Sequence, residues 1–586
     1  MQVGVVGLAE TEGGAGVKLR DPQPEAVGRI LEAFGSGTRT VFLDAPVGSG
    51  KSAIHLWVGR ELGGMYLTTP QTMLVDQYAR DTENGAKFSG YAAAIKGRRG
   101  YPCPHLAGDP SWGREGDAAD TGEIQDVLDA LAHRVRGPTA DGAPCTFLRY
   151  WPIGMHFDPQ GGKTWHASEK ECNALCEPGC PVHDDCPYYA ALSAAREHTS
   201  TVTTLAYLFT SHVEKKWGHR PLLVIDEAHK LAEDLVRFYA VEVGPETFPG
   251  MDYAAFDGAW DKARILREFL PAYIDDQKER LEFMQGRVHK PATRPELKRL
   301  RKQQALVERA ERVDSRIKFA GVDWVWTPEP ATGRHQGRPM TVRPFIGDFW
   351  HQFDRVLLSS ATFLGIPTLA RDIALPEGWT VVTVPDTFPA ASAPIRLLGS
   401  VRLTKRTWAA ERPRVVAEID RLVADHPDER GMVHCNSYQI RDAIRELAPP
   451  RLRDRLAFHE RGDRNDRLLE WMDDGSANSV LVGVAMAEGL DLAGDLARFQ
   501  IVVKAPFPNK GDPWVVRRMN RPDDGDDWYM RRALVDIMQA SGRIMRSRED
   551  RGTTYVLDVN ATALVREYWT SLPPWFRARV EAGRAT

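Results

Sequence analysis

Short apolar runs of four or five residues recur along the chain, each followed by turn residues and then a stretch with helical spacing. Thr40-Val41-Phe42-Leu43 is the first, and the amphipathic Ser52-Ala53-Ile54-His55-Leu56-Trp57-Val58 follows it. Val202-Thr203-Thr204-Leu205-Ala206-Tyr207-Leu208 and Pro221-Leu222-Leu223-Val224-Ile225 repeat the pattern. Further along come Gly431-Met432-Val433-His434, Ser479-Val480-Leu481-Val482, Phe499-Gln500-Ile501-Val502-Val503 and Thr554-Tyr555-Val556-Leu557-Asp558. Strands that are apolar on both faces belong in parallel sheets covered by helices on both sides. The expected fold class is therefore α/β. Two regions break the rhythm. Residues 101–195 are loop-rich, with one helical patch from Glu123 to Arg136, and residues 245–320 read mostly as helix. No internal repeat is visible.

The chemistry starts at Ala45-Pro46-Val47-Gly48-Ser49-Gly50-Lys51-Ser52, between the first strand and its helix. Glycines there let backbone N–H groups curl around phosphate oxygens, as in a P-loop. Lys51 would reach the β- and γ-phosphates of ATP, and the Ser52 hydroxyl would hold Mg²⁺. The competing reading is an ordinary strand-to-helix turn. A P-loop needs a partner carboxylate, and Asp226-Glu227-Ala228-His229 follows an apolar strand directly. Asp226 can enter the Mg²⁺ shell, and Glu227 can polarise the attacking water. Gln539-Ala540-Ser541-Gly542-Arg543-Ile544-Met545-Arg546 adds positive charge. On a helix, Arg543 and Arg546 share a face, either as transition-state cations or as a solvated basic surface.

Together these motifs resemble those of superfamily 2 helicases. Arg20-Asp21-Pro22-Gln23 resembles the upstream element that contacts adenine, and Leu67-Thr68-Thr69-Pro70 resembles the strand end that touches a nucleic-acid phosphate. Ser359-Ser360-Ala361-Thr362 resembles the S-A-T motif that links hydrolysis to movement. Glu488-Gly489-Leu490-Asp491 and Lys504-Ala505-Pro506-Phe507-Pro508 resemble the paired motifs of a second motor domain. The resemblance implies catalytic roles for Lys51, Asp226, Glu227, Gln539, Arg543 and Arg546. It implies nucleotide or Mg²⁺ contacts for Arg20, Gln23, Ala45, Gly48, Ser49, Gly50, Lys51, Ser52, Asp226 and Asp491. Ala45 departs from the usual leading glycine, although the resembling family also begins this loop with Ala-Pro. Met486 and Ala487 stand where that family carries an aromatic pair, and they cannot stack on a base as aromatics do.

The cysteines choose a branch. Six of seven fall between the P-loop and Asp226, and Cys176, Cys180 and Cys186 are closely spaced. In a reducing compartment such clustering points to metal. Four thiolates suit an iron–sulfur cluster and suit Zn²⁺ nearly as well. The C-x₂-C pairs of zinc ribbons are absent. Lys96-Gly97-Arg98-Arg99-Gly100-Tyr101-Pro102-Cys103 and Cys186-Pro187-Tyr188-Tyr189 resemble the entry and exit of the XPD/DinG helicase insert. That resemblance implies a [4Fe-4S] cluster on Cys103, Cys176, Cys180 and Cys186. Cys172 repeats the same spacing and competes as a ligand, and Cys145 has no assigned partner.

Order along the chain then follows. Two RecA-like parallel-sheet motor domains are expected, the first split by an iron–sulfur insert and a mostly helical arch insert. Residues 1–100, 196–244 and 321–385 form the first motor, 101–195 the cluster insert, 245–320 the arch and 386–586 the second motor. From Arg287 to Lys318 basic residues outnumber acids. That excess is either a solvated face or a phosphate-binding one. The family's arch closes over single-stranded DNA, and its cluster insert is expected to part the strands.

At 586 residues several domains are required. A net charge of −4 does not by itself mark a nucleic-acid binder. No apolar run long enough to span a bilayer exists, and Met1-Gln2-Val3-Gly4-Val5 has no leader character. A cytoplasmic, monomeric protein without membrane contact is the expectation. The expected activity is an ATP-dependent DNA helicase on single-stranded and forked duplex DNA, with 5′-to-3′ polarity from the resemblance alone. The alternative is a nucleic-acid-stimulated ATPase that remodels protein–DNA complexes or R-loops without processive unwinding. No acidic cluster precedes the P-loop, so nuclease activity is not expected. DNA repair is one of several roles that fit.

Overall fold

A computed structural model describes residues 19–83, 86–97, 100–101, 156–157, 163–164, 187–211, 217–287, 294–319, 321–460, 464–484, 494–542, 544–545 and 550–585. The helical patch at 123–136 and six of the seven cysteines lie outside these residues.

Two parallel sheets organise the described chain. In the first, the strand order is Thr380–Thr383, Thr40–Asp44, Arg355–Ser360, Leu222–Ile225, Met65–Thr69, Ser200–Thr204 and Ala93–Ala94. Every pairing in it is parallel. Side chains alternate between two packed layers because successive strand residues point to opposite faces. Phe42, Tyr66, Leu223, Ile225, Val356 and Leu358 face one core. Val41, Leu43, Leu67, Val224 and Leu357 face the other. That double burial is why these strands read as continuous apolar runs.

The second sheet has the order Ile395–Val401, Thr553–Asp558, Phe499–Val502, Gly431–His434, Val480–Gly483 and Leu456–Phe458, also parallel throughout. Val433, Val482, Ile501 and Leu557 form the core on one face, and Ile395, Val502 and Val556 pack with the C-terminal helices on the other. The chain crosses between the sheets within residues 384–394. Cys435 lies just past its strand and is fully buried, behaving as a small apolar residue.

The helical insert has a base that sequence reasoning did not anticipate. Val241–Val243, Arg334–Pro339 and Trp324–Glu329 form a three-stranded antiparallel sheet. Two long helices, Lys262–Arg287 and Arg294–Ile317, pack on it around Phe248, Leu266, Leu270 and Ile317. Gly337 pairs with Trp326, and a Cβ there would come within 2.6 Å of the indole, so the pair requires glycine.

This base also grips the second lobe. The two Arg338 guanidinium nitrogens donate to the two Asp512 carboxylate oxygens, one of them at 2.9 Å. Trp514 Nε1 donates to Pro339 O at 3.1 Å, and Arg517 pairs with Asp323 at 2.9 Å. Arg316, counted in the basic run, turns inward: it donates to Ala240 O at 2.6 Å and covers the Phe238 ring. Burial pulls its guanidinium down to about 10. Arg287, Arg299, Lys302, Arg309, Arg312 and Lys318 remain exposed.

Candidate nucleotide site between the lobes

The P-loop leaves the strand Thr40–Asp44 and enters the helix Lys51–Glu61 through Gly50, whose φ of +78° only glycine adopts freely. A Cβ on Gly50 would also lie 2.2 Å from Gln23 Nε2. Gln23 is buried against the loop because its amide donates to Ser49 O at 3.0 Å and accepts from Arg20 N at 3.0 Å. Gln23 therefore supports the loop backbone directly, and Arg20 holds Gln23 in place.

Asp226 and Glu227 stand at the end of the strand Leu222–Ile225. Glu227 takes a left-handed φ of +52°, a sparsely populated conformation for a residue with a side chain. The turn sends the two carboxylates in different directions. Asp226 points into the protein, where its Oδ1 accepts from Glu227 N at 2.9 Å and its Oδ2 from the Tyr78 hydroxyl at 3.3 Å. Glu227 points toward Lys51, with Oε1 3.6 Å from Nζ. Burial first, then the neighbouring Glu227 charge, hold the Asp226 carboxyl up at about 7. Asp44 at the loop entrance is pushed up to about 6 by burial, with Lys51 pulling the other way.

Two neighbouring acids beside one ammonium leave a deficit of positive charge that a divalent cation fits. The loop itself fits phosphate: Ser49 Oγ is buried with no hydrogen-bond partner among the described residues. Lys51, Ser49, Ser52 and Asp226 thus form a donor set suited to Mg²⁺ and a triphosphate.

From Glu227 a chain of polar contacts crosses to the second lobe. His229 Nδ1 lies 3.4 Å from Glu227 Oε2 and 2.9 Å from Ser360 Oγ. Burial lowers the affinity of His229 for a second proton, while the neighbouring Glu227 pulls the other way. Ser360 Oγ accepts from Thr362 N at 3.1 Å. Gln539, on the second-lobe helix Gly525–Ser541, donates to Thr362 Oγ1 at 2.8 Å and reaches Glu227 Oε2 at 3.5 Å. Beside this chain, Lys230 pairs with Asp536 at 3.4 Å, and Trp528 Nε1 donates to Glu233 at 3.3 Å. The loop apex touches the second lobe too: Gly48 sits under Phe388 and the Met545 carbonyl, and Gly542 against Val47. A side chain on either glycine would separate the lobes.

One expectation is corrected. The helix carrying Gln539 ends at Ser541, with Gly542 as its cap, and Ile544 and Met545 are not helical. Both arginines, Asp491, Met486 and Ala487 lie outside the described residues. So do Cys103, Cys145, Cys172, Cys176, Cys180 and Cys186. Among the described residues, no cluster of three or more His, Cys, Asp or Glu side chains could hold a metal.

The strand-end threonines are satisfied internally. Thr68 Oγ1 donates to Val224 O at 3.3 Å, and Thr69 Oγ1 to Gln71 O at 2.9 Å. A separate cavity of about 300 Å³ opens between the lobes, lined by Arg343, Arg371, Trp514, Arg518, Arg521 and Trp528 among others. It includes no P-loop residue and is not the nucleotide site. Sequence reasoning missed Tyr78 and His55, which stand directly behind Asp226. A tyrosine and a histidine in amphipathic helices carry no motif signal.

Comparison with known proteins agrees with this architecture. Residues 419–579 match the helicase C-terminal domain family. No curated protein matches by sequence. A solved XPD helicase superposes with a TM-score of 0.57 at 16% identity, covering 94% of this chain and 98% of that one. Xpd4 of S. tokodaii gives 0.53 at 15% identity, covering 94% and 97%. XPD in its apo form gives 0.53 at 14% identity, covering 93% and 97%. The fold is that of two RecA-like domains, as in these XPD structures.

Proposed function

We propose that the protein is an ATP-dependent DNA helicase that translocates 5′-to-3′ on single-stranded DNA and separates forked duplexes. The observation that carries this reading is the polar chain Lys51–Glu227–His229–Ser360–Thr362–Gln539, which ties the P-loop to the second lobe. A kinase or small GTPase has no need of a second RecA-like lobe reading its catalytic carboxylate. The helicase domain match at residues 419–579 supports the same reading.

Lys51 and the loop amides would hold the phosphates of ATP, and Ser52 and Asp226 would hold Mg²⁺, which when bound would supply charge neutralisation to the transferred phosphoryl group. Glu227 orients the water. His229 and Gln539 sense the state of Glu227 and pass it to Ser360 and Thr362. Arg543 and Arg546 are proposed to approach the γ-phosphate from the second lobe. Thr68 and Thr69 are proposed to meet a DNA phosphate at the end of their strand. The exposed arch residues Arg287, Arg299, Lys302, Arg309, Arg312 and Lys318 are proposed to add salt-dependent backbone contacts. Cys103, Cys176, Cys180 and Cys186 are proposed to hold a [4Fe-4S] cluster, because four thiolates form a complete donor set for one.

The direct test of the site is ATP hydrolysis with and without single-stranded DNA. DNA is expected to stimulate turnover, and Lys51→Ala is expected to abolish it. Undiminished turnover in Lys51→Ala would remove the P-loop from the mechanism.

A further inference from the structure

We infer that Tyr78 and His55 are positioning residues that aim the Asp226 carboxylate at the Mg²⁺ of the ATP site. The inference rests on the reading under Proposed function and extends it to groups outside any motif. Tyr78 lies on the helix Thr72–Thr82, and His55 on the P-loop helix Lys51–Glu61, three residues beyond Ser52 and on the same face. Tyr78 is 2% exposed and His55 is 0% exposed. The Tyr78 hydroxyl lies 3.3 Å from Asp226 Oδ2 and 2.8 Å from His55 Nδ1. The phenol therefore links His55 to one of the proposed cation ligands.

The proton count fixes the direction of each bond. A phenol offers one proton and two acceptor lone pairs, whereas Asp226 in the ionised form that binds a cation only accepts. The Tyr78 proton goes to Asp226. His55 must then donate to the Tyr78 oxygen. His55 can do so as the Nδ1–H tautomer, which leaves Nε2 as a bare acceptor. That agrees with Nε2 being buried without a partner among the described residues. The opposite tautomer would bury an orphaned N–H, the costlier defect. Asp226, already bonded by Tyr78 and by Glu227 N, has its remaining lone pairs fixed in direction. It is thus set as an acceptor before a cation arrives.

Removing such a supporting partner typically weakens metal affinity about 10–100-fold. The test uses the full chain and a fluorescent ADP analogue, titrated with Mg²⁺, with Mn²⁺ binding followed in parallel by electron paramagnetic resonance. Neither readout needs turnover. Tyr78→Phe is expected to raise half-saturating Mg²⁺ roughly 10–100-fold while affinity in excess EDTA stays at the wild-type value. His55→Leu, which removes the donor to Tyr78, should shift the curve the same way by less and carries the test if Tyr78→Phe does not fold. Curves for both variants that superimpose on the wild type would overturn the inference alone. A wild-type protein whose nucleotide binding ignores Mg²⁺ would instead overturn the ATPase reading beneath it.

Discussion

Glu227→Gln is expected to lower DNA-stimulated ATP turnover by roughly 10²–10⁴-fold, the usual worth of a positioned general base, while nucleotide binding persists. Glutamine keeps the length and polarity of the side chain but cannot take a proton from water. The geometry singles out Glu227 rather than its neighbour. Asp226 is buried and held by Tyr78 and its own chain, whereas Glu227 keeps 26% of its side-chain surface and faces Lys51. The variant also removes a negative charge opposite the phosphates, so affinity for ATP should hold or tighten. Rapid-quench hydrolysis and equilibrium binding measured on the same preparation separate the two effects. Turnover within about threefold of wild type would assign water activation to another group.

Trp350→Ala should destabilise the first lobe by about 3–5 kcal/mol, the range for deleting a large buried aromatic. Trp350 is 1% exposed, and its Nε1 donates to Ile373 O at 2.9 Å. That bond ties the turn before the strand Arg355–Ser360 to the end of the helix Ile366–Asp372. The S-A-T residues 359–362 lie between these two anchors. Loss of the indole leaves both a cavity and an unpaired carbonyl. In differential scanning calorimetry the first-lobe transition should fall by roughly 6–20 °C, at about 2–4 °C per kcal/mol. Trp350→Phe, which keeps most of the packing, should cost about 1 kcal/mol. An unchanged transition in Trp350→Ala would mean that this core does not support the S-A-T segment.

Much of the fold was legible because parallel strands covered on both faces advertise themselves. Phe42 and Leu43 are both buried, one on each side of the sheet, and no polar residue interrupts them. The antiparallel base of the helical insert was not legible, for the opposite physical reason. Arg334–Pro339 reads as polar, and the residues it buries are His335, Gly337 and Pro339. None of these carries a hydrophobic signal, and the glycine is there for the Trp326 ring. The candidate nucleotide site stands out in the sequence wherever backbone and chemistry coincide, as at Gly50, Lys51 and Asp226. The end of the helix Gly525–Ser541 was not legible, because a short sequence window cannot distinguish a helix from its cap. Tyr78 and His55 stayed hidden because their roles exist only once two helices and a strand converge. Contacts between the lobes, such as Gln539 with Thr362, depend on residues 177 positions apart in sequence.

The central claim is that ATP hydrolysis at this site drives strand separation. The most direct measurement is unwinding of a labelled forked duplex with a single 5′ tail, compared with one bearing only a 3′ tail. ATP and Mg²⁺ should give displaced strand from the 5′-tailed fork and none with Lys51→Ala. Product from the 3′-tailed fork alone would reverse the polarity. Robust DNA-stimulated hydrolysis without displacement of any strand would contradict the helicase account.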